Sequence, residues 1–294
     1  MSESNAMRAE ELRKEALAKH RAGEIDASIE LYDAALALAD DEEARELITI
    51  NKADAMIAIE RNGPEVQALP AIVMRRRKPH HTFLAAYALV FKYRLANELK
   101  RATFYGELAL KCAEEAEEPF WRSAALNELG SVYEIDSQFD KSIDCFQRII
   151  EWIDQLDDPS ENRLTYGAAL QNLGASKVLN DQFREGIADI ERALGSIDSP
   201  TYVAEAYIDL CYGYLGIEEL EQARHYGEAG LDLATEPRQI RNAHYLLGEV
   251  YYKLDDLDRA EFHFDELARF YPEFRNLKSL LFAIDLRSMV NLKL

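Results

Sequence analysis

Six of the eight prolines fall at positions 79, 119, 159, 200, 237 and 272, between 35 and 41 residues apart. Proline has no amide hydrogen to give a helix interior, but it fits a linker or the first turn of a helix. Several follow acidic residues (Glu117-Glu118-Pro119, Asp157-Asp158-Pro159, Glu236-Pro237), which suit the positive end of a helix dipole. The beat therefore marks the borders of a helical unit repeated along the chain. Such a chain has no single core, because each unit buries its apolar side only against its neighbours. Only 13 glycines in 294 residues leave little room for an all-β plan with many tight turns.

A second pattern recurs inside each unit. Leu129-Gly130-Ser131-Val132-Tyr133 is followed by Phe139, Ser142, Phe146 and Ile149, and Leu247-Gly248-Glu249-Val250-Tyr251 by Leu257, Ala260, Phe264 and Leu267. Leu173-Gly174 leads to Phe183, Gly186, Ile190 and Ala193; Leu210-Cys211 to Leu220, Ala223, Gly227 and Gly230; Leu89-Val90 to Leu99, Ala102, Gly106 and Ala109. The later positions recur at helical spacing, which is not the alternation of a strand. The reading is a helix hairpin. A small residue (Gly130, Gly174, Cys211, Gly248) lets the two helices approach, an aromatic three residues on plugs the hairpin, and a short polar turn follows.

A small residue, Tyr three on, then Ala, an aromatic and finally Pro resembles the tetratricopeptide repeat, most fully at Tyr251, Ala260, Phe264 and Pro272. The spacing is nearer 40 than the roughly 34 of the usual repeat. In this it is similar to the arrays of kinesin light chains and of the Rap-type peptide-sensing regulators of bacteria. The resemblance implies an all-α, right-handed superhelical solenoid of seven hairpins, at about 9–40, 42–78, 80–118, 119–158, 160–199, 200–236 and 237–272. A capping helix is expected over about 276–292, with Leu277, Leu280, Leu281, Ile284 and Met289 covering the end of the stack. Residues 1–6 read as the remnant of a purification tag. The first hairpin shows Ala16, Gly23, Tyr32 and Ala35; the second is degenerate, and Pro70 is expected to kink its second helix.

The same resemblance implies that the first helices line a groove at three positions: three before the small residue, one after it and four after it. These are Tyr87, Phe91 and Arg94; Asn127, Ser131 and Glu134; Gln171, Ala175 and Val178; Ile208, Tyr212 and Leu215; Tyr245, Glu249 and Tyr252. Asn172 lies one position off that register, in a Gln-Asn-Leu-Gly context like those whose asparagines contact bound peptide in the long-repeat families. The amides and tyrosines suit an extended segment. The implied function is an adaptor that binds a peptide or partner protein in the groove. The alternative is a ligand- or peptide-sensing regulator of the Rap type acting on a signalling partner. Docking of a chaperone C-terminus is not expected, because Arg13 and Leu17 stand where that mode uses Lys and Asn.

A formal charge of −20 argues against nucleic acid and anionic membranes as partners. The basic run Arg75-Arg76-Arg77-Lys78 reads as cations at a helix C-terminus, and the stretch 196–237, with nine acids and only Arg224 as base, as a solvated face. No segment approaches the roughly 18 to 20 apolar residues of a membrane span, and no apolar leader opens the chain, so the expected location is cytoplasmic. Three cysteines fit a reducing compartment, with Cys211 read as a buried thiol. The six histidines form no ligand pattern, and no phosphate loop or nucleophile motif is present, so neither cofactor, metal nor enzymatic activity is expected. The amphipathic C-terminal helix would also suit self-association. Gly213, Gly216, Gly227 and Gly230 mark the sixth hairpin as a close-packed or yielding joint.

Overall fold

The computed structural model describes residues 2–156, 158, 160–270 and 272. Among them are fourteen α-helices and no strand. The helices come in seven pairs: α1 (Ser2–Arg21) and α2 (Ile25–Leu38), α3 (Glu42–Ala58) and α4 (Pro64–Arg75), α5 (Pro79–Leu95) and α6 (Leu99–Glu115), α7 (Pro119–Ile135) and α8 (Phe139–Asp154), α9 (Arg163–Leu179) and α10 (Phe183–Leu194), α11 (Pro200–Gly216) and α12 (Leu220–Leu233), α13 (Pro237–Lys253) and α14 (Leu257–Phe270). A 3-10 turn, Ser160–Asn162, precedes α9. The helices group into two compact units divided after Val132. Pro159 and the expected capping helix lie outside the described residues.

From the second pair on, every first helix is 17 residues long. Pro79, Pro119, Pro200 and Pro237 each open one, where the missing amide hydrogen costs nothing. The hairpin turns are equally uniform. Gly23, Glu60, Asn97, Ser137, Asp181, Glu218 and Asp255 each take the left-handed conformation, with φ between 55° and 80°. The next amide then reaches back to the first helix, as in Glu98 N–H to Tyr93 O (2.8 Å), Gln182 to Lys177 (2.8 Å) and Asp256 to Tyr251 (3.0 Å). This is the six-to-one bond of a Schellman turn, which satisfies a carbonyl that the helix end leaves open. One turn geometry, used seven times, aims each second helix back along the first.

Close packing then depends on missing side chains. A Cβ on Gly174 would sit 2.7 Å from the Gly186 carbonyl oxygen, and one on Gly186 would sit 2.6 Å from that of Gly174, so α9 and α10 meet backbone to backbone. The sixth pair is packed just as closely. A Cβ at Gly227 would meet Leu247 at 2.7 Å and Cys211 at 2.9 Å, and one at Gly216 would meet Phe183 at 2.3 Å. The aromatic after the small residue is covered from the second helix. Tyr214 stacks on Tyr226 at 5.5 Å, Tyr93 on Tyr105 at 5.5 Å, and Lys141 lies 5.1 Å over Tyr133. Tyr214 also donates to Glu191 of the preceding pair (2.8 Å).

In the first unit α3 packs on α1 and α5, and in the second unit α11 packs on α9 and α13. Their interiors centre on Tyr32, Ile48, Leu69 and Leu89 in the first unit, and on Ile190, Leu210, Leu246 and Leu267 in the second. Buried Lys52 staples three helices of the first unit through Asp33 (2.6 Å) and Glu65 (2.8 Å). The basic run is held by α3: Arg75 lies 3.2 Å from Glu46, Lys78 lies 3.1 Å from Glu43, and Arg77 pairs with Glu42. Helix α4 continues through Pro70. All three cysteines are free and buried, and burial pushes the Cys211 thiol far up and Cys145 to about 12.

Two predictions follow from this packing. Gly174→Ala gains helix propensity yet collides with backbone, so it should lower the unfolding free energy by about 1–3 kcal/mol. Gly195→Ala, whose Cβ would meet only Arg192 O at 3.4 Å, should leave stability within about 0.5 kcal/mol or raise it. Urea denaturation of the two variants checks the contrast.

The second concerns His263, buried in α14 with its Nδ1 3.0 Å from that of His244 on α13. Burial, and then His244, push its pKa down to about 4. The unfolded imidazole takes a proton near pH 6.5, which the folded one refuses until about 4. Its contribution is therefore complete above about pH 6.5 and lost progressively as pH falls to about 4, on the order of 3 kcal/mol. In His263→Gln, unfolding free energies at pH 7 and pH 4.5 should differ less than in the parent.

Candidate partner-binding face

In the first unit, the residues expected to line a groove remain half-open. Tyr87, Phe91 and Arg94 project from α5, and Asn127 and Ser131 from α7, all intermediate in exposure. An aromatic strip runs along α5 toward them: His80 stacks on Trp121 (5.2 Å), Trp121 on Phe83 (5.0 Å) and Phe83 on Tyr87 (5.8 Å). The Arg94 guanidinium lies 5.0 Å over the Phe91 ring, and its Nη2 is 3.4 Å from Oε2 of Glu128. That contact is an ion pair without hydrogen-bond geometry, so Arg94 Nε and Glu128 Oε2 are both buried without a hydrogen-bond partner. Ser131 Oγ donates to the Asn127 carbonyl (3.1 Å).

Two acids, Glu128 and Asp54, complete this face. Burial raises the Glu128 pKa, against the pull of Arg94. Asp54 on α3 keeps 43% of its side-chain surface open, with His20 Nδ1 3.9 Å away, yet burial pushes its pKa up too. The fields of Glu128 and Asp54, added to burial, push the Tyr87 hydroxyl far up. Asp54 stands one residue after Ala53, the same register as Phe91 and Ser131. That signal lay in the sequence, hidden by the degenerate look of the second hairpin. Glu128 and Asn172 share the position two before the small residue, outside the expected register.

The second unit treats the same positions differently. Glu134 is buried and accepts from Ser176 Oγ (2.6 Å), which in turn bonds Ser142 Oγ (2.9 Å). Gln171, Ala175, Val178, Ile208 and Leu215 are buried, as is Tyr212, 7% exposed and edge-on to Phe183 at 6.2 Å. Tyr245 is buried and donates to Glu249 (3.1 Å). Only Asn172, Glu249 and Tyr252, the last 42% exposed, offer open surface there. Successive first helices of this unit are tied instead by Arg238 to Glu205 (3.0 Å) and Gln239 to the Thr201 carbonyl (2.9 Å). Among the described residues no cluster of three or more His, Cys, Asp or Glu is arranged to hold a metal, and no helix is long and apolar enough to cross a membrane.

The tetratricopeptide repeat family profile matches residues 241–274, the stretch that holds α13 and α14. That stretch is similar to a tetratricopeptide repeat. The fold of the chain is similar to that of the apo form of RapI, with a TM-score of 0.70 at 11% identity over 97% of this chain and 85% of that one. It is also similar to NprR in complex with its cognate peptide NprX (0.66, 16% identity, 95% and 84% covered). A tetratricopeptide repeat protein from Parabacteroides merdae is a third neighbour (0.60, 14% identity, 94% and 99% covered). No curated protein matches the sequence. At these identities the likeness is one of fold.

Burial disfavours the ionised form of Glu128. An acid whose folded pKa is raised stabilises only at pH values below its unfolded pKa, and loses that contribution as pH rises through the folded one. Glu128→Gln should therefore raise the unfolding free energy at pH 7, with a smaller gain at pH 4. Urea denaturation at the two pH values tests this; a clear loss at pH 7 would mean that the Arg94 pairing outweighs burial.

Proposed function

We propose that this chain is a protein-interaction module whose first-helix faces bind a peptide or a partner protein. The observation that carries the reading is the first-unit face, where Tyr87, Phe91, Arg94, Asn127 and Ser131 stay half-open around charges that lack full partners. Rigid aromatics and under-bonded polar groups are what a binding surface offers, and a face needed only for packing would have closed over them. The second unit offers a separate proposed set of contacts on its own first helices, Asn172, Glu249 and Tyr252, while Glu134, Gln171, Tyr212 and Tyr245 are buried there. NprR, of similar fold, is known in complex with a cognate peptide, which supports a peptide as the ligand class. The likeness to RapI and NprR also favours the regulator reading, in which ligand binding is passed to a signalling partner. Neither reading requires a catalytic group or a cofactor. We place the protein in the cytoplasm on its three free, buried cysteines.

Capture from native extract should return a specific partner with the parent chain and with Phe104→Ala, whose ring is exposed on α6. The double variant Asn127→Ala/Tyr252→Ala should lose it. Capture unchanged by the double variant but abolished by Phe104→Ala would move the site to the second helices and overturn the reading.

A further inference from the structure

The second hairpin turn is longer than the other six. Five residues, 59–63, join α3 to α4, where every other pair is joined by three. The turn starts as the rest do, with Glu60 left-handed (φ 55°) and Arg61 N–H reaching Met56 O at 2.8 Å. Asn62 and Gly63 are then extra, and Gly63 is fully extended (φ −165°, ψ −176°). Beside them, between the ends of α3 and α5 and the start of α4, lies a cleft of about 230 Å³. Its apolar lining is Ile57 and Val66, both buried, with Leu95, which is 48% exposed. The rim holds donors that the fold leaves unused. Half-buried Lys92 is in no ion pair among the described residues; its Nζ lies 5.6 Å over the Tyr93 ring, which Arg101 also covers at 5.3 Å. The Asn62 amide hydrogen is in no hydrogen bond among the described residues. Arg61 is already held by Asp26 (2.9 Å), and Glu60, the acid on the lining, is exposed to water. The partly dehydrated charge on this rim is therefore that of Lys92. Residues 92–111 hold five Lys and Arg against two acids, the reverse of the chain as a whole.

We infer that this cleft binds a partner segment in which a large apolar side chain stands next to a carboxylate. The apolar group covers Ile57, Val66 and Leu95, and the carboxylate accepts from Lys92 and the Asn62 amide. A charge-assisted bond to a half-buried ammonium is stronger than one in open water. The cleft is smaller than the roughly 300–1,000 Å³ of small-molecule pockets, so it suits one side chain better than a whole ligand. The dipole of α5 by itself accounts for a cation at Lys92, but not for the open apolar lining beside it. The site lies at the hairpin turns and does not depend on the first-helix face.

The test is selection from a random octapeptide library displayed with free C-termini, using the full chain. Retained peptides should share Leu, Ile or Phe, either beside Asp or Glu or at the C-terminus itself. A synthetic peptide from that pool, made with a free and with an amidated C-terminus, tells which of the two sources supplies the carboxylate. By titration calorimetry, Lys92→Gln and Leu95→Ser should each weaken its binding about tenfold. Lys100→Gln, an exposed cation off the cleft, should change it by less than about twofold. All three variants should melt within about 2 °C of the parent, separating lost binding from lost folding. An equal loss in Lys100→Gln would reduce the attraction to general charge and overturn the inference. Retained peptides without a carboxylate beside the apolar residue would overturn it too, as would a Lys92→Gln chain that melts several degrees lower. Binding untouched by Lys92→Gln but lost in Asn127→Ala/Tyr252→Ala would overturn it and leave the first-helix reading standing. A parent that retains no peptide at all would count against both.

Discussion

The structure depends on how closely two helices approach within a hairpin. At Gly174 and Gly186 the backbones of α9 and α10 touch, and the seven Schellman turns set the angle at which each second helix returns. From that approach follows the placement of the aromatic plug, and from the plug the tie to the previous pair, as when Tyr214 reaches Glu191. Stability is thus assembled locally, neighbour upon neighbour, which is how a chain of this length does without a common centre.

Local assembly leaves the exposed face of the first helices free to be imperfect. In the second unit, the positions that face the next first helix are filled with Tyr212, Tyr245, Gln171 and Glu134 and closed by their own hydrogen bonds or packing. In the first unit, the corresponding positions carry charge and aromatic surface that the fold does not satisfy. Burial pushes Glu128 and Asp54 toward their neutral forms. The same sequence pattern therefore closes over its polar residues in one unit and leaves them half-open in the other.

The hairpin plan was legible because its signals are local. Prolines at helix starts, glycines at contacts and tyrosines three residues on act through backbone geometry that travels with the residue. The lining was only partly legible. The register named Tyr87, Phe91, Arg94, Asn127 and Ser131, but it also named Glu134 and Tyr212, which lie buried, and it passed over Asp54 and Glu128. Exposure at a lining position depends on the size of the residue facing it from the next helix, and no periodicity within one helix contains that information.

By itself, the sequence determined the helices, their pairing and their turns, since proline, glycine and apolar spacing restrict the backbone wherever they occur. Tertiary structure alone decided which polar residues stay open and which become struts. That choice turns on whether a neighbouring element supplies a partner: Ser176 does so for Glu134, and the protein leaves Glu128 without a full one.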